Sequence, residues 1–164
     1  MKVTFLSDTH ARHHKIELPG GDMLIFAGDF MTTGYHVAEL NGFLEWLSAQ
    51  PYKYKVCIAG NHDRYCESFP AYTVKDMFEQ YYDQGVRYLQ DEMIEIEGKK
   101  IYGTPYQPFF CNWAFNVNDE VKLTEIYKNI PNDLDILITH CPPYDILDKS
   151  HIARPYRGTT GEEP

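Results

Sequence analysis

Four short, mostly apolar runs that stop at polar residues dominate the hydropathy pattern of the chain. In the clearest run, Met23–Ala27 is followed by Gly28 and Asp29. An uninterrupted apolar run of this length is typical of a strand that is covered on both faces. The same pattern recurs at Lys2–Leu6, Lys55–Ala59 and Leu134–Ile138. We therefore expect four buried strands whose carboxyl ends carry the polar residues.

Three helices are predicted from apolar residues at helical spacing. The first covers Val37–Ser48 and precedes Pro51. The second begins after an N-cap at Thr73 and ends at Gly85, and the third begins after a cap at Asn118. The predicted buried faces are Leu40, Phe43, Leu44 and Leu47 in the first helix, Val74, Met77, Phe78, Tyr81 and Tyr82 in the second, and Leu123, Ile126, Tyr127 and Ile130 in the third.

The remaining segments predict a hairpin, a short strand and a long loop. Alternation in Met93–Glu97, followed by a Gly-containing turn and Ile101–Gly103, indicates a hairpin with one polar face. Val86–Leu89 is a short strand, and residues 104–117 form an aperiodic loop whose aromatic side chains pack inside it. This order of elements predicts an α/β domain of layered type with mixed sheets, formed by residues 1–164 as a single domain.

Charge and composition narrow the class of partner. The chain of 164 residues has a formal net charge of −9. This charge argues against long nucleic acid as a partner, because phosphate backbones are bound by clustered Lys and Arg. A small phosphate ester can still bind to an acidic protein if metal ions supply the positive charge. Four scattered cysteines and the lack of an apolar run of membrane-spanning length predict a cytoplasmic protein with no membrane association.

The polar residues that follow the strands have the chemistry of metal ligands. Asp8 and His10 are two positions apart just after a strand, so both can face one ion. Asp29 can bridge two ions through its two carboxylate oxygens. Asn61 offers an amide oxygen and His140 a ring nitrogen. A mixed nitrogen and oxygen set without thiolate suits two divalent ions chosen from Mn, Fe, Zn or Ni.

Other polar residues near these strand ends are candidates for catalysis or substrate binding. We expect His62 to act as a general acid at the leaving oxygen, with Asp63 fixing its tautomer. Arg64 can contact a phosphate, although a surface ion pair is an equally good interpretation. His13 is predicted to be a solvated loop residue that can face substrate. The aromatic side chains of residues 104–117 fit a core plug better than a base-stacking platform.

Four motifs, in this order along the chain, resemble those of the calcineurin-like metallophosphoesterase superfamily. They are Asp8-x-His10, Gly28-Asp29, Gly60-Asn61-His62-Asp63 and Thr139-His140. Three longer stretches are similar to the metallophosphoesterase-domain branch that is related to class III cyclic nucleotide phosphodiesterases. They are Ser7–His10, Tyr102–Pro108 and Thr139–Pro143.

The resemblance implies a four-layer αββα sandwich with mixed sheets. It also implies a ligand set for each of two ions and a catalytic role for His62. One ion would be held by Asp8, His10 and Asp29, and the other by Asp29, Asn61 and His140. The family's final Gly-His-x-His motif is absent, since His151 is the one histidine after His140 and no such motif surrounds it. We therefore expect the domain to be incomplete at its C-terminus.

The residues and the resemblance together predict a dinuclear metal-dependent phosphoesterase. Its expected substrate is a small phosphodiester such as a cyclic nucleotide, attacked in line by a metal-bridging hydroxide. A phosphomonoesterase or a small nuclease is the alternative among enzymes. A protein of the same fold that binds metal or a partner, with weak or no turnover, is the alternative of another class. Homo-oligomer formation is compatible with all of these readings.

Overall fold

The computed structural model describes residues 1–143, 145–146 and 148, and His151 with the polar segment around it lies outside this part of the chain. The helices and strands in chain order are β1 (Val3–Leu6), β2 (Met23–Ala27), α1 (Val37–Ser48), β3 (Tyr54–Ile58), α2 (Arg64–Ser68), α3 (Ala71–Glu79), β4 (Val86–Tyr88), β5 (Glu92–Ile96), β6 (Lys99–Thr104), β7 (Gln107–Pro108), β8 (Asn116–Val117), α4 (Glu120–Lys128) and β9 (Ile136–Thr139). Two short 3₁₀ helices cover His13–Lys15 and Tyr82–Gln84.

Two sheets form the framework of the molecule. The first is wholly parallel and has the strand order β1-β2-β3-β4. The second is mixed, because β6 pairs antiparallel with β5 and parallel with β9. A separate two-stranded pair joins β7 and β8. The α/β class with mixed sheets that the sequence predicts is therefore confirmed.

The side chains of β2 show why the sheets and helices stack as layers. Leu24 and Phe26 belong to a core that includes apolar residues of α1 and α3. Met23 and Ile25 point the other way, into a second core shared with β5, β6 and β9. All four residues are fully buried, as expected for a strand that is covered on both faces. The first sheet thus lies between the helices and the second sheet.

The N-terminal ends of two helices differ from the sequence prediction. An additional short helix, α2, follows directly after Asp63, and α3 begins after Pro70 rather than at Thr73. Pro70 fits the N-cap position, since its fixed φ of −52° is allowed there and its missing N–H leaves no helical hydrogen bond unmade. Asp119, not Asn118, caps α4, since its carboxylate accepts hydrogen bonds from the backbone amides of the first turn.

Of the four strands predicted to be buried, β2 and β3 are buried, whereas β1 and β9 are buried only in part, since Phe5 is 65% and Leu137 48% exposed. The four apolar residues of α1 are buried, whereas the predicted inner face of α4 is half-buried. Tyr82 is an error of the prediction, because α3 ends at Glu79 and the tyrosine is 55% exposed.

The segment of residues 104–117 contains the paired strands β7 and β8, so it is not a loop throughout. Phe115 is buried but Phe109 is 37% exposed, so the packed aromatic interior is confirmed only in part. Among the described residues, no helix combines the length and the apolar character needed to cross a bilayer.

Candidate metal centre

The carboxyl ends of β1, β2, β3 and β9 deliver the predicted ligands to one edge of the two sheets. The loops after β1 and β2 are joined by backbone hydrogen bonds from Asp8 to Gly28 and from His10 to Asp29, each 3.0 Å long. Asp8, His10 and Asp29 all have positive φ angles, of 56°, 43° and 59°. Non-glycine residues in this conformation are strained and cluster at functional sites.

Two glycines let the β2 and β3 loops touch at the centre of this site. A Cβ on Gly28 would lie 2.7 Å from the Gly60 backbone and 2.8 Å from Nδ1 of His140. A Cβ on Gly60 would lie 2.4 Å from Oδ1 of Asp29. Any side chain at either position would therefore displace the residues that form the site.

Asp29 lies at the centre of two groups of potential ligand atoms. The first group contains His10, Asp29 and His62, and the second contains Asp8, Asp29 and His140. Within each group all the ligand atoms lie within 4.8 Å of one another. Nε2 of His10 is 3.7 Å from Oδ2 of Asp29, and Nε2 of His140 is 3.4 Å from Oδ1. Each oxygen of Asp29 thus faces a different histidine.

These groups differ in part from the ligand sets that the resemblance implies. Asp8 is grouped with His140 rather than with His10, and His62 approaches His10 and Asp29 closely enough to be a potential ligand itself. Asn61 lies with the predicted second ion, because its Oδ1 is 2.8 Å from Nε2 of His140. Asp8, His10 and His140 lie around the Asp29 carboxylate, and Asn61 joins them through His140. The assignment of the five ligands to individual ions stays a prediction.

Three backbone carbonyls fix the three histidine rings. Nδ1 of His10 donates to the carbonyl of Met31 at 3.2 Å, and Nδ1 of His140 donates to that of Ala27 at 2.8 Å. Nδ1 of His62 donates to the carbonyl of Thr32 at 2.5 Å. Since a carbonyl only accepts, each ring carries its proton on Nδ1 and presents Nε2 to the site.

The surroundings of His140 fit a bound cation. Its Nδ1 faces a carbonyl, and its Nε2 faces oxygens of both Asn61 and Asp29, so only acceptors surround the ring. Burial lowers the pKa of His140, but the hydrogen bond and negative charge of Asp29 outweigh it and raise this pKa to about 9. A proton or a metal ion must therefore occupy this cluster of acceptors, and the mixed donor set suits a divalent transition metal.

Asp29 is held ionised in the same cluster. Burial of the side chain raises the pKa of Asp29, but the hydrogen bond and the charge of His140 outweigh this effect, so that the pKa is lowered. Oδ1 of Asp29 also accepts the backbone amide of His62 at 2.7 Å. A carboxylate that is ionised, buried and shared between two groups is the arrangement that a bridging ligand requires.

Asp63 does not orient His62, which corrects the role expected from the sequence. One of its oxygens accepts the amides of Asp29 and Gly60, at 2.9 and 2.7 Å, and the other accepts the amide of Met31 at 2.9 Å. Asp63 is fully buried, and it fastens the β2 loop to the β3 loop. The backbone of Thr32 performs the function that we expected of the carboxylate.

A half-buried aromatic wall beside His62 was not identified as part of the site from the sequence. The Trp113 ring stacks on the His62 ring with centroids 4.0 Å apart. The guanidinium of Arg64 lies 5.4 Å from Trp113 and 5.5 Å from Tyr35, and it donates to the carbonyl of Asn112. Nothing in the local spacing of residues 104–117 distinguishes Trp113 from the other aromatic residues of this segment. Phosphate binding by Arg64 stays a prediction.

His13 is not the solvated loop residue that the sequence predicts. Its side chain is buried, and its ring packs against Phe43 and Trp46 at centroid distances of 5.5 and 4.8 Å. Burial, with a smaller contribution from His14, lowers the pKa of His13 to about 4. A neutral ring in the core beneath α1 has a packing role, so His13 is not included in the site.

Comparison with known proteins places this site in a family. The sequence matches the family described as calcineurin-like phosphoesterase over residues 1–163. It is 41% identical over 162 residues to metallophosphoesterase domain-containing protein 1 of Homo sapiens, covering 87% of this chain and 49% of that protein. It is 36% identical over 161 residues to a UPF0046 protein of Caenorhabditis elegans, covering 91% and 53% respectively. The chain thus spans about half the length of these relatives. It belongs to the calcineurin-like phosphoesterase family.

Proposed function

We propose that this protein is a metal-dependent phosphodiesterase that acts on small phosphate diesters. The observation that carries the proposal is the arrangement of three histidine rings, each fixed at Nδ1 by a carbonyl, around Asp29. Membership of a phosphoesterase family supports the reaction class. The small substrate is our inference from the net charge of −9, and the preference for a diester is part of the proposal that the assays below test.

The chain's own residues divide into those that hold metal and one that assists the leaving group. Asp8, His10, Asp29, Asn61 and His140 would hold two divalent ions, chosen from Mn, Fe, Zn or Ni. When bound, such ions supply positive charge to the phosphate and activate water. Asp29 would contribute one oxygen to each side of the site, as its two histidine contacts indicate.

His62 would bind the leaving oxygen of the substrate and give it the proton of Nε2, acting as an imidazolium whose other proton stays on Nδ1. Its Nδ1 is used by the Thr32 carbonyl, so Nε2 is the nitrogen available to a ligand. Trp113 covers one face of the ring, and His10 meets it edge-on at a centroid distance of 4.6 Å. The ring therefore has one orientation in which to serve as a general acid.

Charge and thiol chemistry support the substrate class and the location that we propose. With a net charge of −9, the chain offers little attraction to a polynucleotide backbone. Arg64 lies beside Trp113 at the rim of the site, where it can meet a phosphate or an aromatic leaving group. All four cysteines lie among the described residues and are unpaired, in keeping with a reducing cytoplasm.

Hydrolysis assays on three substrates test the proposal. The metal-loaded protein is given bis(p-nitrophenyl) phosphate, p-nitrophenyl phosphate and duplex DNA, and we expect fastest turnover of the first. His62→Asn should lower that turnover about 10²–10⁴-fold, the range for a positioned acid–base group. His36→Asn is the matched control, because His36 is exposed and its side chain caps nothing.

Each departure from this result identifies a different activity. Faster hydrolysis of the monoester would indicate a phosphomonoesterase, and fastest cleavage of DNA would indicate a nuclease. Bound metal without turnover of any ester would indicate a metal- or partner-binding protein of the same fold. Any of the three would overturn the proposed phosphodiesterase.

A further inference from the structure

Glu39, in the first turn of α1, holds the residue that orients His62. One carboxylate oxygen of Glu39 accepts the backbone amide of Thr32 at 2.8 Å, and the other accepts the Thr32 hydroxyl at 2.5 Å. Both oxygens are therefore committed to one residue. Glu39 lies in the first turn of α1, where the helix dipole interacts favourably with a carboxylate.

Thr32 connects this carboxylate to the His62 ring. Its carbonyl accepts from Nδ1 of His62 at 2.5 Å, while its amide and hydroxyl are held by Glu39. All the polar groups of Thr32 thus belong to one chain of hydrogen bonds. Moving the Thr32 peptide would rotate or release the His62 ring, because that carbonyl is the partner of Nδ1.

The loop that carries Thr32 has little freedom to move independently of His62. A Cβ on Gly34 would lie 2.0 Å from the His62 carbonyl oxygen and 2.3 Å from the Arg64 amide nitrogen. Asp63 ties the same loop down through the amide of Met31 at 2.9 Å. Glu39 is the anchor on the other side of Thr32, and it comes from a helix outside the cluster of ligands.

We infer that Glu39 is a positioning residue that fixes the orientation and tautomer of His62 through Thr32. This inference rests on the proposed function of His62 as the group that meets the leaving oxygen. Glu39 holds the Thr32 carbonyl so that the His62 proton stays on Nδ1 and Nε2 faces the site. Glu39 is not among the grouped ligand residues, so it acts on the site through Thr32 and the His62 ring.

Paired variants test this inference by activity. Glu39→Ala should lower kcat about 10–100-fold, the usual cost of removing a partner that orients an active-site histidine. KM and metal content should change little, and Glu39→Gln, which keeps one accepting oxygen, should recover part of kcat. Combined with His62→Asn, Glu39→Ala should cause no further loss. Glu45→Ala is the control, because Glu45 is exposed on the same helix.

A spectroscopic measurement gives an outcome that does not depend on turnover. In protein with ¹⁵N-labelled histidine, the His62 ring should show a single Nδ1–H tautomer, and Glu39→Ala should convert it to a mixture. Thr32→Val keeps the backbone carbonyl and amide but removes the hydroxyl, so its spectrum should lie between those of the wild type and Glu39→Ala. This variant replaces Glu39→Ala in the test if Glu39→Ala does not fold. An unchanged His62 tautomer in both variants would overturn the inference. So would a loss of kcat on Glu39→Ala that is equally large in the wild type and in the His62→Asn background. If the wild type lacks turnover, the proposed function fails while the spectrum still decides the role of Glu39.

Discussion

At the scale of residues, two neighbouring buried aspartates have separate functions. Asp29 faces ring nitrogens, whereas both oxygens of Asp63 are occupied by backbone amides. The sequence predicted the convergence on Asp29, because carboxylates and histidines follow four apolar strands. It assigned Asp63 wrongly to the His62 ring, since the role of this aspartate depends on which loop amides point at its carboxylate.

Replacement of Asp63 should destabilise the whole site. In Asp63→Asn an NH₂ group would face backbone amides that now donate to a carboxylate, and burial leaves no water to take its place. We expect a loss of about 1–3 kcal/mol in the free energy of unfolding for each donor left without a partner. Urea denaturation measures it, with Asp76→Asn on the exposed side of α3 as the control. Equal stability of the two variants would refute the fastening role.

His13 should make the stability of the fold depend on pH. Its folded-state pKa is lowered from 6.5 to about 4, so the unfolded chain takes up a proton more readily. The contribution of the neutral ring is complete above pH 6.5 and is lost as the pH falls towards 4. The phenylalanine of His13→Phe keeps the ring packing and does not titrate. As the pH falls from 7 to 4.5, the free energy of unfolding of His13→Phe should rise relative to that of the wild type. A difference that does not change with pH would contradict a buried neutral histidine.

At the scale of elements, the loop after β3 and the helix α2 that follows it are held by residues 114–115, which are distant in sequence. The amide of Ala114 donates to the Asn61 carbonyl at 2.9 Å, and the amide of Phe115 donates to Glu67 at 2.7 Å. Apolar runs predicted the four main strands and helical spacing predicted α1, because burial on a regular element leaves a pattern in the sequence. The segment of residues 109–115 has no such repeat, so its contact with the β3 loop could not be read from sequence.

Trp113 should contribute to turnover by stacking on His62. An aromatic contact of this kind is worth about 0.5–1.5 kcal/mol. Trp113→Ala should therefore lower kcat/KM for a small diester about 2–10-fold, while Trp113→Phe should retain most of it. Steady-state kinetics at saturating metal provide the comparison. Identical values for the alanine variant and wild type would show that the stacked pair has no part in turnover.

At the scale of the whole molecule, apolar side chains remain exposed on the second sheet. Met93 and Leu137 both pair in register with Tyr102 and are 44% and 48% exposed. They lie on the face opposite to Ile101, which is buried between the sheets. Exposed apolar residues in one row of a sheet favour association.

The chain should therefore associate in a concentration-dependent way through this face. Light scattering coupled to size exclusion should show oligomers at high concentration, and the double substitution of Met93→Ser and Leu137→Ser should shift the protein to monomer. Tyr35→Ser, which removes an exposed aromatic residue elsewhere, serves as the control. A monomeric wild type at all concentrations would contradict the expectation.

Metal stoichiometry tests the central claim, a two-ion centre organised by Asp29, most directly. Wild type, Asp29→Asn and the control Asp76→Asn would be loaded with Mn²⁺, dialysed and analysed for metal per chain. Asparagine retains an acceptor for the His62 amide but removes the charge and the second carboxylate oxygen. We predict two ions per chain in wild type and control, and loss of most metal in Asp29→Asn. Undiminished metal in Asp29→Asn would contradict the account.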